Sequence, residues 1–253
     1  MTIRRWEWVA LACILLLSAA LRLGAPGITE FKRDEANLSQ LALDLAHGRD
    51  FPLLGIRSSV DIPNPPISVY LFAIPYALSS SPLLATLFVG VLNVIAVGLV
   101  WWLARRYYGS PAAIVAGLLY AASPWAVIYS RKIWAQDLLP PFVLATILTG
   151  LLGFYEDKRW ARHIHWPLLV LTVQIHYAAF TLIPLSLLML ILWGRRSYWR
   201  DLIVGLSIAA LTLIPAGGGV FEVTVNGKKI YSKKETGQFP DPAAILKTVR
   251  SKL

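Results

Sequence analysis

Asp34 and Glu35 stand side by side in Phe31-Lys32-Arg33-Asp34-Glu35-Ala36-Asn37, about ten residues beyond an apolar run that ends at Leu23. A carboxylate placed there could deprotonate an acceptor hydroxyl, or hold a cation against a phosphate leaving group. Either would serve group transfer from a lipid-borne substrate. The competing reading is ordinary helix stabilisation, with Asp34 as N-cap and Glu35 in the first turn satisfying free N–H groups and the helix dipole.

A second constellation is Tyr129-Ser130-Arg131-Lys132-Ile133-Trp134-Ala135-Gln136-Asp137. Arg131 offers a planar donor fork and Lys132 a point charge to a lipid phosphate, or both snorkel to anionic headgroups with Trp134 as interface anchor. Asp137 is either a second acidic site residue or the cap of a helix starting at Leu138. His176 and Gln174 lie deep in an apolar stretch, where polar side chains face a cavity or a neighbouring helix. His176 is therefore a ligand contact or a packing residue.

The elements that must position these groups are membrane helices. Hydrophobic residues make up 57% of the 253 and charged ones only 15%, and the apolar residues fall in long runs. Trp6 to Leu23, Leu84 to Leu103, Pro111 to Tyr129, Leu138 to Tyr155, Trp166 to about Ala178, Phe180 to Trp193 and Leu202 to Pro215 give about seven spans. Trp166 to Trp193 reads as two short spans or one long tilted one. Two spans keep Arg105-Arg106, Lys158 with Arg159 and Arg162, and Arg195 with Arg196 and Arg200 on the side of Arg4-Arg5, which the positive-inside rule makes cytoplasmic. The net charge of +10 thus orients helices rather than binding nucleic acid.

The first outer loop, residues 24–83, then holds the acidic pair. Leu38, Leu41, Ala42 and Leu45 recur at helical spacing, which predicts an amphipathic helix stopped by Gly48. Pro65 to Ser80 reads as a helix in the outer interface, entered through Asn64-Pro65-Pro66. The lone cysteine, Cys13, excludes an intrachain disulfide and a CxxC pair, and no P-loop, GxGxxG or HExxH occurs.

From Gly217 the pattern changes. Val220 to Val225 alternates with period two, Asn226-Gly227 is a hairpin turn signal, and Lys228 to Ser232 returns as a second strand. Asp241-Pro242 then opens a helix with Ile245, Leu246, Val249 and Leu253 on one face. The predicted fold class is an all-α polytopic membrane protein with interfacial helices and a small hairpin-plus-helix fragment at its end.

The basic start, one span, Asp34-Glu35, Asn64-Pro65-Pro66, Leu103-Ala104-Arg105-Arg106-Tyr107-Tyr108-Gly109 and Tyr129-Ser130-Arg131 followed by Asp137 together resemble the amino-terminal membrane module of the GT-C glycosyltransferases. The branch is the protein O-mannosyltransferase and aminoarabinose-transferase superfamily, and the resemblance covers about residues 1–210. It implies transfer of a sugar from a polyprenyl-phosphate-linked donor to a lipid, glycan or protein acceptor at the extracytoplasmic face, with inversion. It also implies Asp34 and Glu35 as catalytic carboxylates, Arg131, Lys132, Asp137 and His176 as donor-phosphate or substrate contacts, and a multi-pass inner-membrane location with the amino terminus cytoplasmic. No cofactor is fixed by it, and a divalent cation, if any, would fall to Asp34 and Asp137. The usual His-Pro-Pro of that family is Asn64-Pro65-Pro66 here, and family members continue through further spans.

The segment Gly218-Gly219-Val220-Phe221-Glu222-Val223 through Asn226-Gly227 to Phe239-Pro240-Asp241 is similar to the carboxyl-terminal half of the selenoprotein W-like (Rdx, SelT/SelW/SelH) thioredoxin-like family. The half carrying that family's redox pair does not occur in this sequence. The reading is thus a truncated GT-C-like module, residues 1–215, fused to a redox-inactive fragment, residues 216–253, whose tail lies outside. Truncation is expected to impair transfer. A redox-family protein named for its tail, or a non-catalytic membrane protein, are the alternatives.

Overall fold

The first apolar run forms helix α1, Arg5–Leu23, which the N–H of Gly24 closes on the carbonyl of Ala20. The computed structural model describes residues 4–57, 62–194, 198, 200–204, 222–225 and 228–232. The chain divides into two compact units, Met1–Leu213 and Ile214–Leu253.

In the first unit α1 is followed by α2, Arg33–Ala46, and α3, Ile67–Leu78. Helix α4, Pro82–Tyr108, starts under a Ser81 cap with Pro82 in its first position and stops at Gly109, whose φ of 89° favours glycine. Then come α5, Ser110–Ala122, α6, Pro124–Tyr129, and α7, Ala135–Gly150, which runs on as a π-helical turn, Leu151–Tyr155. Helix α8, Arg159–Ile175, leads through a 3₁₀ turn, Tyr177–Thr181, to α9, Leu182–Trp193. Tyr198 and residues 200–204 are helical as well.

Among the described residues three helices are long and apolar enough to cross a membrane: Arg5–Leu23, Pro82–Tyr108 and Ala135–Tyr155. Shorter apolar helices are Ile67–Leu78, Ser110–Ala122 and Tyr177–Trp193. The run from Pro111 to Tyr129, expected as one span, is instead broken at Ser123. Pro124 cannot donate to the carbonyl ladder, so it starts a new helix beneath a Ser123 side chain that accepts from the N–H of Ala126. The stretch from Trp166 to Trp193 is likewise divided, at an extended His176.

α4 is the central column, with α1, α3, α5 and α7 packed on it. Leu38 and Ala42 of α2 join Val69, Phe72 and Tyr76 of α3, Ala85 and Val89 of α4, Leu138 of α7 and Ile175 of α8 in one buried core. The α2 residues at helical spacing thus face inward, and that core carries the amino terminus of α2. At the other end of α7, the π turn lies close to α8. A Cβ on Gly153 would come within 2.9 Å of Arg162 Cγ and 3.0 Å of its backbone nitrogen. Small residues permit such backbone approach, so Gly153→Ala is expected to destabilise the protein by about 1–3 kcal/mol. Thermal unfolding in detergent checks this, and an unchanged midpoint would contradict it.

In the second unit, strand β1, Glu222–Val225, pairs antiparallel with β2, Lys228–Ser232, Glu222 opposite Ser232 and Val225 opposite Lys228. The Asn226-Gly227 turn, the expected closing helix after Asp241 and the last expected span beyond Val204 lie outside the described residues.

Candidate functional site

Helix α2 begins one residue before Asp34. Lys32 is the N-cap, so Asp34 is the second helical residue and Glu35 the third. Asp34 is therefore not the cap that the sequence suggested. The capping carboxylate is Glu35, whose Oε2 accepts the backbone N–H of Lys32 at 3.0 Å.

Successive helical residues point about 100° apart, a consequence of 3.6 residues per turn, and this divides the acidic pair. Asp34 is exposed while Glu35 is only 1% exposed. The second constellation meets this helix end. Lys132, also buried, places Nζ 3.5 Å from Glu35 Oε1 and 2.5 Å from Glu30 Oε2. The same ammonium lies 3.9 Å from the centre of the Trp134 ring, a cation–π contact that favours its charge. Glu30 also pairs with Lys32. Burial opposes the charge of Lys132, but Glu30, Glu35 and Asp137 outweigh it and raise its pKa.

Two cavities meet at Asp34. One, of about 310 Å³, is lined by Glu30, Lys32, Arg33, Asp34, Glu35, Lys132 and Trp134. The other, of about 210 Å³, is lined by Asp34, Ile56, Arg57, Asn64, Trp134, Gln136, His176 and Tyr177. Asp34 and Trp134 are common to both. Asn64, expected to be architectural, does hold the loop: it pairs with Ile56 through backbone and side chain, at 3.0 Å each. It also lines the second cavity. His176 caps α8, and its Nδ1 accepts the Ala178 N–H at 3.1 Å. That bond assigns the ring proton to Nε2, making His176 a donor.

Asp137 sits in the first turn of α7, which starts at Ala135 rather than at Leu138. Its backbone carbonyl accepts from Asn93 of α4 at 2.9 Å, a tie between the two helices with no local sequence signal. Among the described residues, Glu35 Oε1, Asp137 Oδ2, Asn64 Oδ1 and Trp134 Nε1 are buried without a hydrogen-bond partner. Glu35, Asn64 and Trp134 line the two cavities, where a bound ligand or water can reach such groups.

Arg131 is placed differently from Lys132. Its guanidinium donates to the carbonyls of Leu21 at 3.2 Å, Gly24 at 2.7 Å and Ala25, and its own carbonyl accepts from Thr29 Oγ1. It thus closes the carboxyl end of α1 and fixes the loop that delivers Glu30. Arg22 reinforces this junction by donating to Ala121 and Tyr120 carbonyls at 2.8 and 2.9 Å.

Glu30 is a site residue that sequence reasoning missed. Its only local signal is an acidic residue two positions before Lys32, and its main partner lies 102 residues away. Hydrogen bonds from Lys132 and Lys32 hold its carboxyl at about 2 against an ordinary 4.5. A depressed carboxyl contributes stability above the ordinary value and loses it as pH falls through the shifted one. The stability difference between wild type and Glu30→Gln should therefore be constant down to about pH 4.5 and vanish by about pH 2. Unfolding measured at each pH checks this.

For a cation the donors are few. Among the described residues no three His, Cys, Asp or Glu side chains group to hold a metal, whereas Mg²⁺ or Ca²⁺ takes six or more oxygens. Asp34 is exposed and Asp137 buried, so the two carboxylates named for a cation sit in different environments.

The helical membrane unit with its paired constellation has the fold of a GT-C glycosyltransferase module. It is similar to ArnT from Cupriavidus metallidurans bound to undecaprenyl phosphate, with a TM-score of 0.62 and 18% identity over 83% of this chain and 40% of that one. The yeast (S. cerevisiae) protein O-mannosyltransferase Pmt1-Pmt2 complex bound to the sugar donor gives a TM-score of 0.61 at 18% identity, over 83% of this chain and 32% of that one. This chain thus spans well under half the length of either. Residues 63–217 match the dolichyl-phosphate-mannose-protein mannosyltransferase family, and the chain belongs to that family. Residues 200–251 match the Rdx family, overlapping the first match over residues 200–217. No curated protein sequence matches the chain.

Proposed function

We propose that the chain transfers a sugar from a polyprenyl-phosphate-linked donor to a hydroxyl-bearing acceptor at the extracytoplasmic face of the inner membrane. The observation that carries this reading is the division of the acidic pair: Asp34 is exposed and lines both cavities, while Glu35, which lines one of them, is buried against Lys132.

In the proposed reaction Asp34 removes the proton of the acceptor hydroxyl, whose oxygen bonds to the anomeric carbon from the face opposite the phosphate. The bond between that carbon and the phosphate oxygen breaks, and its electron pair leaves with the phosphate. Lys132 and Lys32 meet the charge that develops there. Trp134 and Tyr177 offer flat apolar faces and Gln136, Asn64 and His176 hydrogen bonds to the sugar. Arg131 acts by holding the loop, as its carbonyl contacts indicate.

About seven spans, with α3 lying in the outer interface, would put both constellations on the side opposite the basic clusters. In this reading residues 1–215 form the transferase module, and residues 216–253, a selenoprotein W-like fragment, lie outside. With Cys13 the lone cysteine, the fragment contributes no dithiol chemistry. An exposed carboxylate, Asp34, on the lining of both cavities favours this reading over a non-catalytic membrane protein.

A photoactivatable polyprenyl phosphate, crosslinked to the full chain in nanodiscs and mapped by mass spectrometry, tests it. Labels should fall within residues 24–35 and 127–137. Labels spread along α1, α4 and α9 with none in those loops would contradict the site.

A further inference from the structure

Glu30 stands where a lipid phosphate would have to go. A third cavity, of about 550 Å³, is lined by Ile28, Val127 and Ile128 and shares Glu30 and Lys132 with the cavity that holds Asp34. An isoprenoid chain suits the apolar side of the third cavity, and its phosphate must reach the second to present a sugar to Asp34. The Glu30–Lys132 ion pair lies between the two.

The partners of this pair differ in exposure. Lys132 has a side chain only 8% exposed and is held by the Trp134 ring and Glu35. Glu30 is 36% exposed and sits on a loop. A carboxylate and a phosphate oxyanion compete for the same ammonium donors, and here the carboxylate is the more exposed partner. We propose that Glu30 is a displaceable stand-in for the lipid phosphate on Lys132, and that its return loosens the phosphate-bearing product. The inference rests on reading Lys132 as the cation that faces the donor phosphate.

The need for such a competitor follows from charge. The donor is a phosphodiester with one negative charge. Once the acceptor oxygen has replaced the phosphate oxygen on the sugar and Asp34 has taken the proton, the lipid product is a monoester carrying about −1.5 to −2. Lys32 and Lys132 attract it more strongly than they attract the donor, which slows release, a step that often limits turnover. Glu30 stays ionised at any working pH and opposes that retention.

Binding of undecaprenyl phosphate to the full chain in nanodiscs, measured for wild type, Glu30→Gln and Glu30→Asp, tests this. Glu30→Gln should bind roughly tenfold more tightly, and Glu30→Asp within about threefold of wild type, because the charge rather than the length competes. Equal or weaker binding by Glu30→Gln, or a gain as large in Glu30→Asp, overturns the stand-in while leaving the lysine–phosphate reading intact. No saturable binding by any of the three overturns both.

Discussion

Asp34→Asn is expected to lower sugar transfer by about 10²–10⁴-fold, the range lost when a positioned general base is removed. Asparagine keeps the size of the side chain and its place in the first turn of α2, so the capping bond between Glu35 and Lys32 survives. The loss should therefore appear in kcat, with donor affinity nearly unchanged, because Lys132 is untouched. Glu35→Gln should behave differently. It removes a buried charge facing Lys132, so its effect should fall on stability and donor affinity more than on the chemical step. Steady-state kinetics on both variants separates the roles, and equal kcat losses in both would contradict the division of the acidic pair.

The second large effect is on folding. Lys132 is the cation that Glu30 and Glu35 share, and Glu35 is almost wholly buried. Lys132→Met leaves that carboxylate without its cation, and breaking a buried pair from one side costs about 3–5 kcal/mol. Adding Glu35→Gln to Lys132→Met should restore a good part of the loss, since the double variant has no orphaned buried charge. Unfolding of the four proteins in detergent gives the coupling. A coupling near zero would mean that the 3.5 Å contact is not energetically real.

Much of this architecture is legible in the sequence because hydrophobic periodicity and length constrain membrane helices strongly. Leu38 and Ala42 of α2 are buried as their spacing implies. What periodicity does not carry is phase at helix ends. Whether α2 starts at Arg33 or two residues later decides which carboxylate is exposed and which is buried, and local sequence permits either. The Ser123-Pro124 break was present in the sequence but was overridden by the apolar character of the whole run. Contacts between distant segments are beyond local reasoning altogether. Arg131 has the composition of a phosphate ligand, yet the end of α1, more than a hundred residues earlier, presents carbonyls to it. Glu30 and Asn93 escaped for the same reason: their partners, Lys132 and Asp137, are distant in sequence.

The join between the two family matches falls where the membrane unit is still well anchored. Asp201 pairs with Arg162 of α8 at 2.5 Å and with His163 at 2.9 Å, and the Arg162 guanidinium lies 4.0 Å from the centre of the Tyr198 ring. Tyr198 and Asp201 are thus fastened to α8, Asp201 inside the range that both families match.

The central claim is that this chain breaks the bond between a sugar and a polyprenyl phosphate with Asp34 as base. Phosphorus NMR on the full chain in liposomes, supplied with undecaprenyl-phosphate-linked mannose or aminoarabinose and a membrane extract as acceptor, measures that event directly. The phosphodiester resonance of one donor should give way to the monoester of free undecaprenyl phosphate with the wild type and persist with Asp34→Asn. Persistence of both donors with the wild type, or equal conversion by Asp34→Asn, would contradict the account.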